Sequence, residues 1–222
     1  YATLGAIDAT LTVLAPLLTP TGDVVTPTPL SVNTPTATPT PAEPTPSAPS
    51  SPALPTQPDL VTGFEQFGTW RRGDQPYGTF TQSKAQVFEG AFSGELAYAI
   101  AATAGEQDYV VFLAQSALPI AKDATGLEMQ VFGDGSGNFL NIWIGDAAGQ
   151  TYQFSFGRIQ HVGWQPMAIN FTLNQAWPAG PISPATITQL TPPLSVKAFV
   201  LDHHPDSPLL QSTIYFDALR GT

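Results

Sequence analysis

The sequence predicts an all-β fold: a single jelly-roll β-sandwich, preceded by an extended Pro/Thr-rich stalk and an N-terminal β-strand. Three observations carry the prediction. Residues 139–144 and 151–156 alternate their side chains with a period of two, are rich in aromatic and β-branched types, and flank a Gly/Asp-bounded turn at 145–149. That is the pattern of a β-hairpin. Of the 23 Phe, Trp and Tyr residues, 22 fall between Phe64 and Phe216, which marks one aromatic-rich globular region. Residues 20–58 hold 12 prolines, no aromatic residue and two charged residues, Asp23 and Glu43. Each proline removes a backbone donor and fixes φ, so neither a helix nor a central strand runs through this tract.

The chain therefore divides into residues 1–18, 19–58 and 59–222. In the first part Ile7, Ala9, Leu11 and Val13 alternate with Asp8, Thr10 and Thr12. This is a half-buried strand pattern, and its β-branched residues favour extended structure over helix. The tail of a secretion signal, or a frayed terminus, is the other reading of these residues. The stalk is expected to be polyproline II, at about 3.1 Å per residue and roughly 120 Å if straight. Its Thr/Ser-Pro composition fits the O-glycosylated stalk of a secreted glycoprotein, or a plain flexible linker.

In the third part strands are expected near 77–81, 85–89, 95–101, 109–114, 127–132, 139–144, 151–156, 165–171, 196–201 and 213–217. Many short strands separated by Gly, Pro, Asn and Asp turns specify a sandwich or jelly roll. The strand at 139–144 is apolar at nearly every position, which suits burial on both faces. Trp143 and Trp164 are accordingly expected in the core. Residues 174–194 carry five prolines and are expected to run over the surface.

Composition narrows the function. The net charge is −10, and the seven Lys and Arg residues are scattered after position 70. A chain this acidic with no basic patch is poorly suited to nucleic acid. No stretch reaches the roughly 18 apolar residues of a membrane span. Cysteine is absent, so a core rather than disulfides must hold the fold. The chain begins with Tyr1, so a processed product that has lost its signal segment is expected, placed outside the cell or on its surface.

Catalytic motifs are missing. Ser136 sits one place off the G-x-S-x-G elbow, and there is no H-E-x-x-H and no phosphate loop. The run 134–138 reads as a tight turn, because the twelfth position of a calcium loop would be Gly145 rather than Glu. His203 and His204 are neighbours whose side chains point apart on extended chain, which reads as a loop and not a metal site. A non-enzyme is expected.

The order of several motifs resembles carbohydrate-binding-module jelly rolls of the family 11 type and the wider galactose-binding-like sandwiches. Gly63-Phe64-Glu65 looks like their first strand, and residues 88–96, FEGAFSGEL, look like their turn into an early strand. Residues 127–138 resemble their central strand and its turn, and Gly163-Trp164-Gln165 the Trp strand that follows. Residues 214–219, IYFDAL, match the closing strand. The resemblance covers about 60–222. It implies a structural calcium ion held by Glu65 and Asp217 with carbonyls of the turn 89–94, since calcium takes six to eight oxygens.

Sugar rings pack their apolar face on aromatic rings. Trp177, in the proline-rich loop, is the leading exposed candidate. Tyr152, Arg158, Gln160 and His161 are the residues expected to line a concave-face cleft. Two functions follow from these features. In the first, the protein is an extracellular structural subunit that assembles with copies of itself into a filament or layer. There Ile7, Ala9, Leu11 and Val13 form a donor strand that completes a neighbour's sheet, because a lone strand satisfies neither its backbone nor its apolar face. In the second, the sandwich is a stalk-tethered module that binds glycans on a secreted or cell-wall protein. The N-terminal strand is the feature that separates the two.

Overall fold

The computed structural model describes residues 59–103 and 105–222, and these contain twelve strands. The stalk and the proposed donor strand with Ile7, Ala9, Leu11 and Val13 lie outside the described residues. In chain order the strands are β1 (Leu60–Thr62), β2 (Trp70–Arg72), β3 (Thr79–Ser83), β4 (Ser93–Ala99), β5 (Tyr109–Pro119) and β6 (Gly126–Asp134). They continue with β7 (Phe139–Gly145), β8 (Thr151–Arg158), β9 (Val162–Asn170), β10 (Gly180–Ser183), β11 (Ser195–Asp202) and β12 (Gln211–Gly221). The described residues contain no helix.

The strands form two six-stranded antiparallel sheets. Sheet I runs β3-β4-β12-β6-β9, with β1 continuing alongside β12. Sheet II runs β10-β8-β7-β11-β5-β2. The long crossovers between neighbours, β4 to β12 and β7 to β11, make this a jelly-roll type of β-sandwich rather than a meander. The hairpin read from the sequence is β7–β8, paired from Phe139–Arg158 to Gly145–Thr151.

Period-two alternation decides which side chains meet between the sheets. Leu140, Ile142 and Ile144 of β7, Tyr152, Phe154 and Phe156 of β8, and Leu127, Met129 and Val131 of β6 all enter one buried cluster. At one end of that cluster Phe80 stands edge-on to Phe64 at 6.0 Å and to Trp70 at 5.0 Å between ring centroids. Phe199 and Phe216 complete this aromatic knot, their centroids 5.1 Å apart. Edge-to-face and tilted pairs of this kind add about 0.5–1.5 kcal/mol each beyond their buried area.

Three expectations are corrected. Residues 85–89 form no strand. They belong to the loop 84–92, whose backbone N–H groups turn toward the side chains of Glu65 and Asp217 instead of joining a ladder. Trp164 is not in the core: with Phe88, Phe132 and Tyr215 it forms an edge-to-face row on the outer face of sheet I. Trp143 also points away from the main core. It is half-buried on the outer face of sheet II, beside Val111, Ala198 and Val200. Both faces of β7 are thus covered, as its apolar sequence implies, but by two separate clusters. The proline-rich loop 174–194 does lie largely on the surface, yet Gly180–Ser183 pairs with β8 as an edge strand and Ile187 is buried.

Candidate functional site

The outer face of sheet II carries a hydrogen-bonded set of buried and half-buried polar groups. Strand register brings it together. Trp143 lies opposite Gln153 across β7–β8 and opposite Ala198 across β7–β11. Asn141 lies opposite Val200, and Asp202 follows two residues on, where β11 meets Phe139. A bulge between Val196 and Ala198 resets the alternation of β11, so that Ala198, Val200 and Asp202 all share the outer face.

The side chains are linked by hydrogen bonds. The Trp143 indole N–H donates to Gln153 Oε1 at 2.6 Å, and Gln153 Nε2 donates to the Pro178 carbonyl at 2.7 Å. Asn141 Nδ2 donates to Asp202 Oδ2 at 2.5 Å, and Gln153 Nε2 reaches the same oxygen at 3.4 Å. Burial pushes the Asp202 carboxyl up to about 6, against the lowering effect of the Asn141 and Gln153 amides. Asn141 is fully buried, and its Oδ1 has no hydrogen-bond partner. Such an orphan acceptor costs about 1–3 kcal/mol.

The bond to Pro178 ties the loop bearing Trp177 to this face. Trp177 is 57% exposed, and its ring stands edge-on to Phe139 at 5.2 Å. Phe139 in turn lies 5.4 Å from the His204 ring. Trp143 and Trp177 therefore belong to one surface, with the Asn141–Asp202–Gln153 network between and beneath them. What this surface can do chemically is stack planar apolar faces and offer amide and carboxylate groups to hydroxyls.

The residues expected to share a cleft are divided. Arg158, Gln160 and His161 do come together, along a groove of about 570 Å³ where the edges of β8 and β9 meet. Trp177, the exposed loop candidate, stands on the sheet II face against Phe139. Tyr152 lines neither: it is 2% exposed, its ring packs on Phe154 at 4.8 Å, and its hydroxyl accepts from Asn174 N–H. A ring enclosed in the core has no free face for a sugar, so that assignment is corrected.

Glu65 and Asp217 are brought to the same loop, as the resemblance implies. Glu65 Oε1 accepts from the N–H groups of Ala91 at 2.6 Å and Phe92 at 3.0 Å. Asp217 Oδ2 accepts from Phe88 at 2.9 Å and Glu89 at 3.1 Å, and its Oδ1 from Ala218 at 2.7 Å. Gly90 makes the approach possible, since a Cβ there would stand 2.2 Å from Glu65 Oε1. Calcium is bound by oxygens. The loop turns N–H donors toward Glu65 Oε1 and both oxygens of Asp217, so a calcium ion held by these two acids would compete with them. The two acids serve as anchors of the loop, with the Arg220–Glu89 ion pair beside them. Among the described residues no group of three or more His, Cys, Asp or Glu side chains is placed to hold a metal ion.

His203 is buried with Nδ1 at 2.9 Å from the Glu106 carbonyl, and His204 faces Phe139, so the two part as expected. Ser136 is buried in the turn after β6, where its N–H donates to Asp134 Oδ1. Among the described residues no helix is long and apolar enough to cross a membrane. The residues that sequence reading missed are Asn141, Gln153 and Asp202. Alternation puts the first two on one face of their hairpin, but the third reaches them only through the register of β11.

No protein-family model matches this chain, and no curated protein matches it. Solved structures do. A family 11 carbohydrate-binding module of a cellulosomal cellulase of Clostridium thermocellum is 11% identical, with 73% of this chain and 94% of that one covered at a TM-score of 0.44. The same organism's family 11 module in complex with a β-1,3-1,4-mixed-linked tetrasaccharide is 12% identical, with 73% and 94% covered at 0.43. The C-terminal family 22 carbohydrate-binding module of its Xyn10B is 15% identical, with 74% and 90% covered at 0.35. At these identities the likeness is one of fold.

Proposed function

We propose that residues 59–222 are a non-enzymatic, extracellular glycan-binding module whose neutral sugars rest on the outer face of sheet II. One observation supports this above the others: Trp143 is half-buried on that face, and its indole N–H is already spent on Gln153, so its ring is fixed in place. A ring held this way loses little entropy when it stacks on a pyranose. Trp177 extends the platform, and Asp202 supplies a hydroxyl partner. The test is calorimetric titration of a neutral mixed-linked β-glucan tetrasaccharide into the full chain. Trp143→Ala is expected to weaken binding by about tenfold or more. Unaltered binding in that variant would sink the proposal.

Assembly is the second reading, favoured by the open edges of sheet I. β3 is an outer edge of five residues without proline. β9, at the other edge, carries Pro166, which removes a donor and blunts pairing. In this reading Ile7, Ala9, Leu11 and Val13 of one copy add a strand to another copy's edge, and head-to-tail repetition builds a filament. Negative-stain images compare the wild type with Ile7→Asp plus Leu11→Asp. Filaments that survive the double substitution, or no filaments from the wild type, would remove it.

A further inference from the structure

We propose that the groove between β8 and β9 is a second binding site, specific for the carboxylate of an acidic sugar such as a uronic acid. Arg158 is the one Lys or Arg side chain among the residues lining the groove, and no carboxylate lines it. Arg158 makes no ion pair among the described residues, in a chain whose net charge is −10. Only its Nε–H is engaged, donating to the Gly137 carbonyl at 2.7 Å. The other four N–H donors of the guanidinium are left for a ligand.

The guanidinium is also pre-positioned. It lies across Gly137, where a Cβ would come within 2.7 Å of Nη2, so any larger residue there would push it aside. The carboxylate it awaits must come from outside the sandwich. Planar, two-pronged pairing with a carboxylate is what a fixed guanidinium does best. An isolated cation in an acidic surface also draws anions locally.

The rest of the lining suits a sugar ring rather than a bare anion. Met167 offers apolar surface, and Gln160 and Gln165 offer amide groups for hydroxyls. His161 Nε2 lies 3.0 Å from the Val131 carbonyl. A carbonyl only accepts, so Nε2 carries a proton there. The volume of about 570 Å³ falls in the usual range for small-ligand sites. The sugar part of this inference rests on the glycan-binding reading above, whereas the carboxylate part rests on Arg158 alone.

The test is titration of the full chain with three probes: an α-1,4-linked galacturonate trisaccharide, the same trisaccharide with its carboxylates reduced to hydroxymethyl groups, and sodium acetate. The galacturonate is expected to bind at least about tenfold more tightly than the reduced form, and to weaken as salt is raised. Arg158→Gln is expected to remove that tenfold advantage. Because Arg158 also holds Gly137, Gln160→Glu is the second variant: it sets a carboxylate in the groove without touching the guanidinium and is expected to abolish galacturonate binding. Equal binding of the charged and reduced trisaccharides, or galacturonate binding that persists in either variant, would overturn the inference. Acetate binding as tightly as galacturonate would overturn its sugar part. If the neutral tetrasaccharide binds at sheet II and galacturonate does not bind at all, this inference fails while the proposed function stands.

Discussion

Replacing Asp202 by Asn should stabilise the protein at neutral pH. Burial raises the carboxyl from its ordinary 3.8 to about 6. At about 1.4 kcal/mol per tenfold, keeping Asp202 ionised in the folded state costs about 3 kcal/mol as a ceiling. The side chain retains some solvent, so about 1–2 kcal/mol is the working figure. The sign follows from linkage. The folded state holds this proton where the unfolded chain has released it, so Asp202 makes stability fall as pH rises between about 4 and about 6. Above that window the penalty is constant, and below it there is none.

An asparagine removes the penalty and keeps an oxygen for the Asn141 and Gln153 amides. Its own amide can also donate to Asn141 Oδ1, the buried acceptor without a partner. The assay is thermal unfolding by circular dichroism at about pH 7 and about pH 4. Asp202→Asn is expected to raise the melting temperature by about 2–8 °C at the higher pH, with the gain shrinking at the lower. A variant that melts at or below the wild type at neutral pH, or that gains equally at both values, would refute the reasoning.

The remaining predictions concern the loop 84–92 and the core. Asp217→Ala leaves the N–H groups of Phe88, Glu89 and Ala218 without their acceptor; a loss of about 2–3 kcal/mol in urea unfolding is expected. Adding calcium, or removing it with a chelator, should leave the melting temperature of the wild type unchanged, and a calcium-dependent rise would restore Glu65 and Asp217 as ligands. Phe80→Ala opens the aromatic knot shared with Phe64, Trp70, Phe112, Phe199 and Phe216. It should cost about 3–5 kcal/mol in the same unfolding measurement.

How much of this was legible beforehand depends on how local the signal was. The β7–β8 hairpin was readable because its alternation and its turn are contiguous in the chain. β1 and β2, three residues each, are too short to show a period, and β10 is hidden among prolines. Residues 85–89 mimic a strand in composition, but Glu65 and Asp217 capture their backbone donors, and both acids are distant in sequence. Trp143 looked like core because β7 is apolar throughout; nothing local reveals that Val111, Ala198 and Val200 cover its second face. Asp202 was invisible for the same reason: its place beside Asn141 depends on a bulge at Lys197 and a pairing some 60 residues away. Arg158 and His161 were found because they lie close together where β8 turns into β9, whereas Tyr152 lies further along the inward face of β8, where contacts distant in sequence enclose its ring.

The central claim is that sugars engage the outer face of sheet II. Amide and indole chemical-shift mapping during titration with the neutral tetrasaccharide tests it most directly. The account predicts that the largest changes fall on the Trp143 and Trp177 indole N–H signals and on the side-chain amides of Asn141 and Gln153. Changes confined to the Phe88–Trp164–Phe132–Tyr215 row on sheet I, or no saturable change at all, would contradict it.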